Sequence, residues 1–199
     1  MVLADTVFPE SMRRTQARQL TANVLLILGG SLFAALMAQI AIPLPFTPVP
    51  ITGQTLAVLL VGASLGSRRG ALSIAAYVLE GALGLPVFAG GAAGISRLQG
   101  PTGGYLIGFI AAAFITGWLA ERGWDRRPLS TALAMLAGNA VIYLFGLPWL
   151  ALFLGGFLGP KGAIALGLLP FIPGDLLKLA LATLLLPSTW WIVQNIHKD

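Results

Sequence analysis

Apolar residues run in long blocks along this chain, and polar residues fall in short gaps between the blocks. A helix that crosses a bilayer needs about 20 mostly apolar residues, or about 17 at the short end. Residues 20–42 meet that length and predict a first span. It stops at PLPFTPVP, where Pro43, Pro45, Pro48 and Pro50 do not allow a helix to continue. The next apolar stretch, 51–85, is cut by SRRG at 67–70 and reads as two short helices, 51–66 and 70–85, joined by a tight basic turn. A glycine-rich loop follows at 86–103, then a fourth span at 104–120. The polar hinge ERGWDRRP leads into a fifth at 129–150, which Gly146-Leu147-Pro148 is expected to kink or end. FLGGFLGPKGAIALGLLPFIPG reads as a loop with short helical or re-entrant pieces, and the sixth span covers 173–191.

The pattern predicts an all-α integral membrane protein: one six-helix domain over 1–199, with a bundle at 20–192 between polar ends at 1–19 and 193–199. Composition agrees. Of 199 residues, 57% are hydrophobic and 10% charged, against about 25% charged in a soluble domain. The first apolar run is too long for a cleavable signal peptide and lacks a processing site. Residues 11–19 read as a short surface helix or a solvated tail. Cysteine is absent and the one histidine, His197, lies in the polar tail, so thiol chemistry and a histidine metal cluster are excluded. No cofactor is expected.

A pI near 10.3 invites a nucleic-acid reading, but in a membrane chain positive charge reports topology. With the N-terminus inside, the inner segments carry Arg13, Arg14, Arg18, Arg68, Arg69, Arg122, Arg126, Arg127 and Lys198. Arg97, Lys161 and Lys178 lie elsewhere. The bias puts both termini in the cytoplasm, and the proline-rich loop, the glycine-rich loop and the start of the sixth helix on the outer side. Trp190 and Trp191 then fall at the inner aromatic belt.

Against that background three charges stand out. Asp175 and Lys178 sit in PGDLLKLALA at the start of the sixth helix, three positions and therefore about 60° apart on one face. They form a self-neutralising pair, or Lys178 reaches the interface, or they are part of a pocket, since a charge at mid-bilayer costs roughly 2.5–3.5 kcal/mol. Arg97 lies in the glycine-rich loop on the same side. It either faces solvent and headgroups or grips a carboxylate through paired hydrogen bonds. Glu80 is read evenly as a ligand acceptor and as a bundle pairing. Gln54 and Asn139 offer amides to a ligand or to a neighbouring helix. Tyr77, Phe88, Tyr105 and Tyr143 are candidates for pocket walls or plain packing. Ala34, Ala38 and Ala41 make a stripe that serves close internal packing or the docking of another membrane protein. GPTGGY is not a phosphate loop, because it lacks the GK[ST] ending. No Walker motif occurs in the chain, so no ATPase is expected here. The rival readings are a stand-alone secondary transporter of a small organic anion, which calls for inverted repeats or a polar path, and a membrane enzyme, which lacks a nucleophile constellation.

TPVPITGQTLAVLLVGASLG, GALGLPVFAGGAAGISRLQGPTGGYLIGF and PGDLLKLALA, in that order, closely resemble the BioY family, the biotin-binding S components of energy-coupling factor (ECF) transporters. The resemblance runs from about residue 20 to 192. It implies a six-helix bundle with both termini inside, in a bacterial or archaeal cell membrane, that captures biotin outside under a lid at 43–53. The family's arginine falls on Arg97, and its aspartate and lysine fall on Asp175 and Lys178. The docking stripe for the coupling subunit falls on Ala34 and Ala38. ATP hydrolysis then belongs to partner subunits. Biotin offers a carboxylate to Arg97 and Lys178, a ureido N–H to Asp175, and an apolar body to aliphatic and aromatic walls.

Overall fold

The computed structural model describes residues 2–7 and 15–196, leaving Arg13, Arg14, His197, Lys198 and residues 11–14 of the predicted surface segment outside the described residues, while residues 16–19 of that segment are helical. A short helix α1 (Leu3–Val7) precedes α2 (Gln16–Ala38). Two strands, β1 (Ala41–Ile42) and β2 (Ile51–Thr52), pair antiparallel with Ala41 opposite Thr52. Then come α3 (Gln54–Leu65), α4 (Ser67–Ala82), α5 (Ile95–Gln99), α6 (Gly103–Glu121), α7 (Pro128–Leu154), α8 (Ala163–Gly167) and α9 (Ile172–Ile196).

The helices predicted from the apolar blocks all form, with corrected limits. Four segments are long and apolar enough to cross a membrane: 16–38, 103–121, 128–154 and 163–195. At 12 and 16 residues, α3 and α4 fall short; a 12-residue helix reaches only about 18 Å. Both pack against α6, the most enclosed of the long helices. The first helix ends at Ala38 rather than 42, because the chain turns into the hairpin and Gly53 N–H donates to Ile40 O at 2.9 Å. SRRG is not a turn. Its residues form the first turn of α4, and the break is Gly66 alone, whose φ of +86° suits a residue without Cβ. Nor does Pro148 end the fifth predicted span, α7, which continues to Leu154.

The alanine stripe faces inward. Ala34 and Ala38 are fully buried, where small side chains let α2 lie close to α3 and α4. Internal packing is thus the reading the structure supports for them. Residues 2–4, which belong to the N-terminal segment expected outside the bundle, are buried, with Asp5 paired to Arg69 at 2.6 Å.

At this end of the bundle polar ties join the helix termini. Glu121 Oε1 accepts from Ser67 N–H and Oγ at 2.7 and 2.8 Å. Trp190, deep in the last turns of α9, donates from Nε1 to Asp125 Oδ2 at 2.5 Å, and the Arg126 guanidinium lies 4.6 Å over its ring. Trp190 is therefore buried rather than part of an aromatic belt, while Trp191 beside it is exposed. The opposite end of the bundle holds a cavity.

Candidate functional site

The cavity measures about 110 Å³. Its apolar walls include Val49, Phe88, Leu106, Phe109, Ile142 and Phe171. Gln54, Thr55, Arg97, Tyr143, Asp175 and Lys178 supply polar groups, with Tyr105 closing one side. A mostly apolar enclosure with a few convergent polar groups is the usual form of a small-molecule site.

The local structure explains why these groups converge. The hairpin of β1 and β2 brings Pro48, Val49 and Pro50 to the cavity wall, and Thr47 Oγ1 donates to Leu166 O at 2.8 Å, tying this hairpin to α8. Tyr105 is held from two sides. Its hydroxyl donates to Gly167 O at 2.9 Å. Its ring lies against Gly146, where a Cβ would come within 2.4 Å of ring carbon; this close approach explains a glycine there.

Asp175 and Lys178 both occupy the early turns of α9. Lys178 Nζ donates to Thr55 Oγ1 at 2.7 Å and to Asp175 at 3.4 Å. Tyr143 O–H donates to the other oxygen of Asp175. The side chains of Asp175 and Lys178 are only 12% and 15% exposed, so the pair is neutral as a unit and mostly shielded from water. Arg97 differs. It stands exposed at the cavity rim in α5, and no acidic side chain among the described residues pairs with it. The glycine-rich segment that carries it is thus partly ordered into a helical turn.

Glu80 and Asn139 do not line this cavity. Glu80 Oε2 accepts from Ser31 Oγ at 2.6 Å across the α2–α4 seam. Asn139 lines a separate groove between α7 and α9, beside Tyr143 and Asp175. Tyr77 lies behind Gln54 in the core. Thr52, Thr55 and Phe171 join the cavity without having stood out in the sequence. Hydroxyls and aromatics at helix starts carry no signal apart from their neighbours. Among the described residues no cluster of three or more His, Asp or Glu is placed to hold a metal.

Fold and cavity together define a multi-pass membrane protein whose helix bundle holds a mostly apolar cavity with a few convergent polar groups. The chain belongs to the BioY family, whose model matches residues 10–195. It is 41% identical over 166 residues to "Biotin transporter BioY" of Rhizobium etli, covering 78% of this chain and 87% of the relative. It is 46% identical over 158 residues to "Probable biotin transporter BioY" of Pyrococcus horikoshii, covering 78% and 90%. Its fold matches a crystal structure at 2.1 Å of the S-component for biotin from an ECF-type ABC transporter, with a TM-score of 0.72 and 26% identity over 93% of this chain and 95% of that one.

Proposed function

We propose that this chain captures biotin as the substrate-specific subunit of an ATP-driven ECF transporter. The observation that carries the reading is the division of charge in the cavity: a self-neutralised Asp175–Lys178 pair inside and, at the rim, an arginine with no acidic partner among the described residues. Biotin has the matching division, with a neutral ureido ring at one end and a carboxylate at the other. The carboxylate goes to Arg97, whose planar fork suits it and whose charge is not already met. Lys178, already bonded to Asp175 and Thr55, faces the ureido end instead of joining Arg97 on the acid. The apolar walls take the thioether ring and the alkyl chain.

The positive-inside bias favours both termini in the cytoplasm and the cavity on the outer side. Biotin then enters from outside once the hairpin parts from α8 at the Thr47–Leu166 contact. Energy for release inside comes from partner subunits, a membrane coupling subunit and ATPases, which the ECF-type relationship supports. Uptake involves no covalent change to the vitamin.

Labelled biotin binding to purified protein, competed by desthiobiotin and by unrelated vitamins, tests the capture step. Saturable binding that desthiobiotin displaces and unrelated vitamins do not is expected; no binding defeats the reading. Uptake into vesicles with and without the energising subunits tests the division of labour. Active accumulation by the isolated chain favours a secondary transporter.

A further inference from the structure

Tyr77 of α4 is fully buried and lies outside the cavity lining, with its ring edge-on to Phe88 at 5.6 Å. Its hydroxyl accepts from Gln54 Nε2 at 2.5 Å. The other end of the same amide is also held: Gln54 Oε1 accepts from Thr52 Oγ1 at 2.9 Å, and the Thr52 hydroxyl in turn accepts from the Gln54 backbone N–H at 3.3 Å. The two ends of an amide are nearly equal in shape and opposite in hydrogen-bonding sense. Both anchors are hydroxyls, which can donate or accept; here Tyr77 accepts and Thr52 donates, and that sense sets what faces a ligand. Here the nitrogen is drawn back into the core, and the oxygen is left beside Thr52, which lines the cavity with Gln54. A carbonyl oxygen has two lone pairs, and Thr52 uses one.

We propose that Tyr77 is a positioning residue that fixes Gln54 as an acceptor for one N–H of the ligand. The inference rests on the biotin reading above. The edge of a cyclic urea presents donor, acceptor, donor. Asp175 supplies one acceptor. Lys178 supplies a donor, and its bond to Thr55 brings it to the first turn of α3, next to Gln54. The Gln54 oxygen supplies the second acceptor. The wall thus offers acceptor, donor, acceptor, the complement of the ureido edge. Tyr77 also fills space in the core, and Tyr77→Phe separates the two roles, because it keeps the ring and the Phe88 contact and removes only the hydroxyl.

Calorimetry on the full chain in detergent, with biotin and with two analogues each methylated on a different ureido nitrogen, tests the assignment. Wild-type protein that does not bind biotin overturns the vitamin reading itself. Given wild-type binding, Tyr77→Phe is expected to weaken biotin by about tenfold without lowering the thermal midpoint appreciably. For the analogue that has lost the N–H facing Gln54, the same substitution should change affinity by less than about twofold, the coupling expected of groups acting on one bond. Gln54→Leu should reproduce this selectivity, so the outcome does not depend on how Tyr77→Phe folds. An equal loss for biotin and both analogues, or no loss for any, overturns the role of Tyr77.

Discussion

Lys178 Nζ reaches across from α9 to Thr55 Oγ1 of α3, 2.7 Å away. The contact spans 123 residues of sequence and fixes the direction of the ammonium within the cavity. A lysine carries three N–H donors, and Thr55 and Asp175 engage it here. Thr55→Val keeps the shape and removes the acceptor, so the ammonium loses its aim. We expect biotin affinity to fall by about tenfold or more, as for a hydrogen bond to a charged group. Calorimetry on the purified variant decides; unchanged affinity would remove Thr55 from the recognition network.

Arg97 is assigned to the carboxylate because it is the rim cation without an acidic partner among the described residues. Arg97→Ala is expected to weaken biotin roughly 10- to 100-fold. Biotinamide, which lacks the negative charge, should bind wild type more weakly than biotin and should lose little further affinity in the variant. Equal losses for the acid and the amide would place the carboxylate elsewhere.

The helices were legible because long apolar blocks have few other uses, and their limits were less so. SRRG looked like a loop because arginines are costly in a span, yet at the end of a bundle they sit comfortably in the first turn of α4. One glycine, Gly66, was enough to break the helix. Ala41 and Ile42 continue the apolar run of the first helix, and nothing local marks them as a strand whose partner lies beyond the prolines.

The same logic governs the site. Charges in apolar surroundings advertise a partner without saying which. For Asp175 and Lys178 the partners line the cavity, whereas for Glu80 the partner is Ser31 on the next helix. Threonines at or just before a helix start are common, and Thr52 and Thr55 gain meaning only when Tyr77 and Lys178 arrive from distant parts of the chain to hold Gln54 and meet Thr55. Asp125 looked like one more charge in a polar hinge, and only the arrival of Trp190 from α9 shows it to be 1% exposed.

Gly146 is a test of shape rather than charge. A methyl at this position meets the Tyr105 ring at 2.4 Å, so either α7 moves away from α6 or the tyrosine leaves Gly167. Overpacking of this kind costs about 1–3 kcal/mol. Gly146→Ala should lower the thermal midpoint in detergent and weaken biotin binding as the wall shifts. Combined with Tyr105→Leu, which removes the obstructing ring, it should cost less than the two single effects added. Strict additivity in thermal unfolding would show that the two residues do not meet.

Asp125 links pH to the stability of the end opposite the cavity. Burial raises its pKa above the ordinary carboxylate range, against the opposing effects of the Trp190 N–H and the Arg126 charge. One carboxylate oxygen, Oδ1, is buried without a hydrogen-bond partner among the described residues, which disfavours the charged form further. The folded protein therefore holds this proton more tightly than the unfolded chain does. Across the interval from the ordinary aspartate pKa, about 3.9, up to the raised folded value, the folded state binds more protons, so stability falls as pH rises. Above that interval the loss is complete and constant. Asp125→Asn keeps the shape and an acceptor for Trp190 while abolishing the titration. Thermal unfolding of the detergent-solubilised protein, followed across the acidic range, should show this component of the decline in wild type and its loss in the variant. Matching slopes in the two proteins would mean that Asp125 titrates as it does in the unfolded chain.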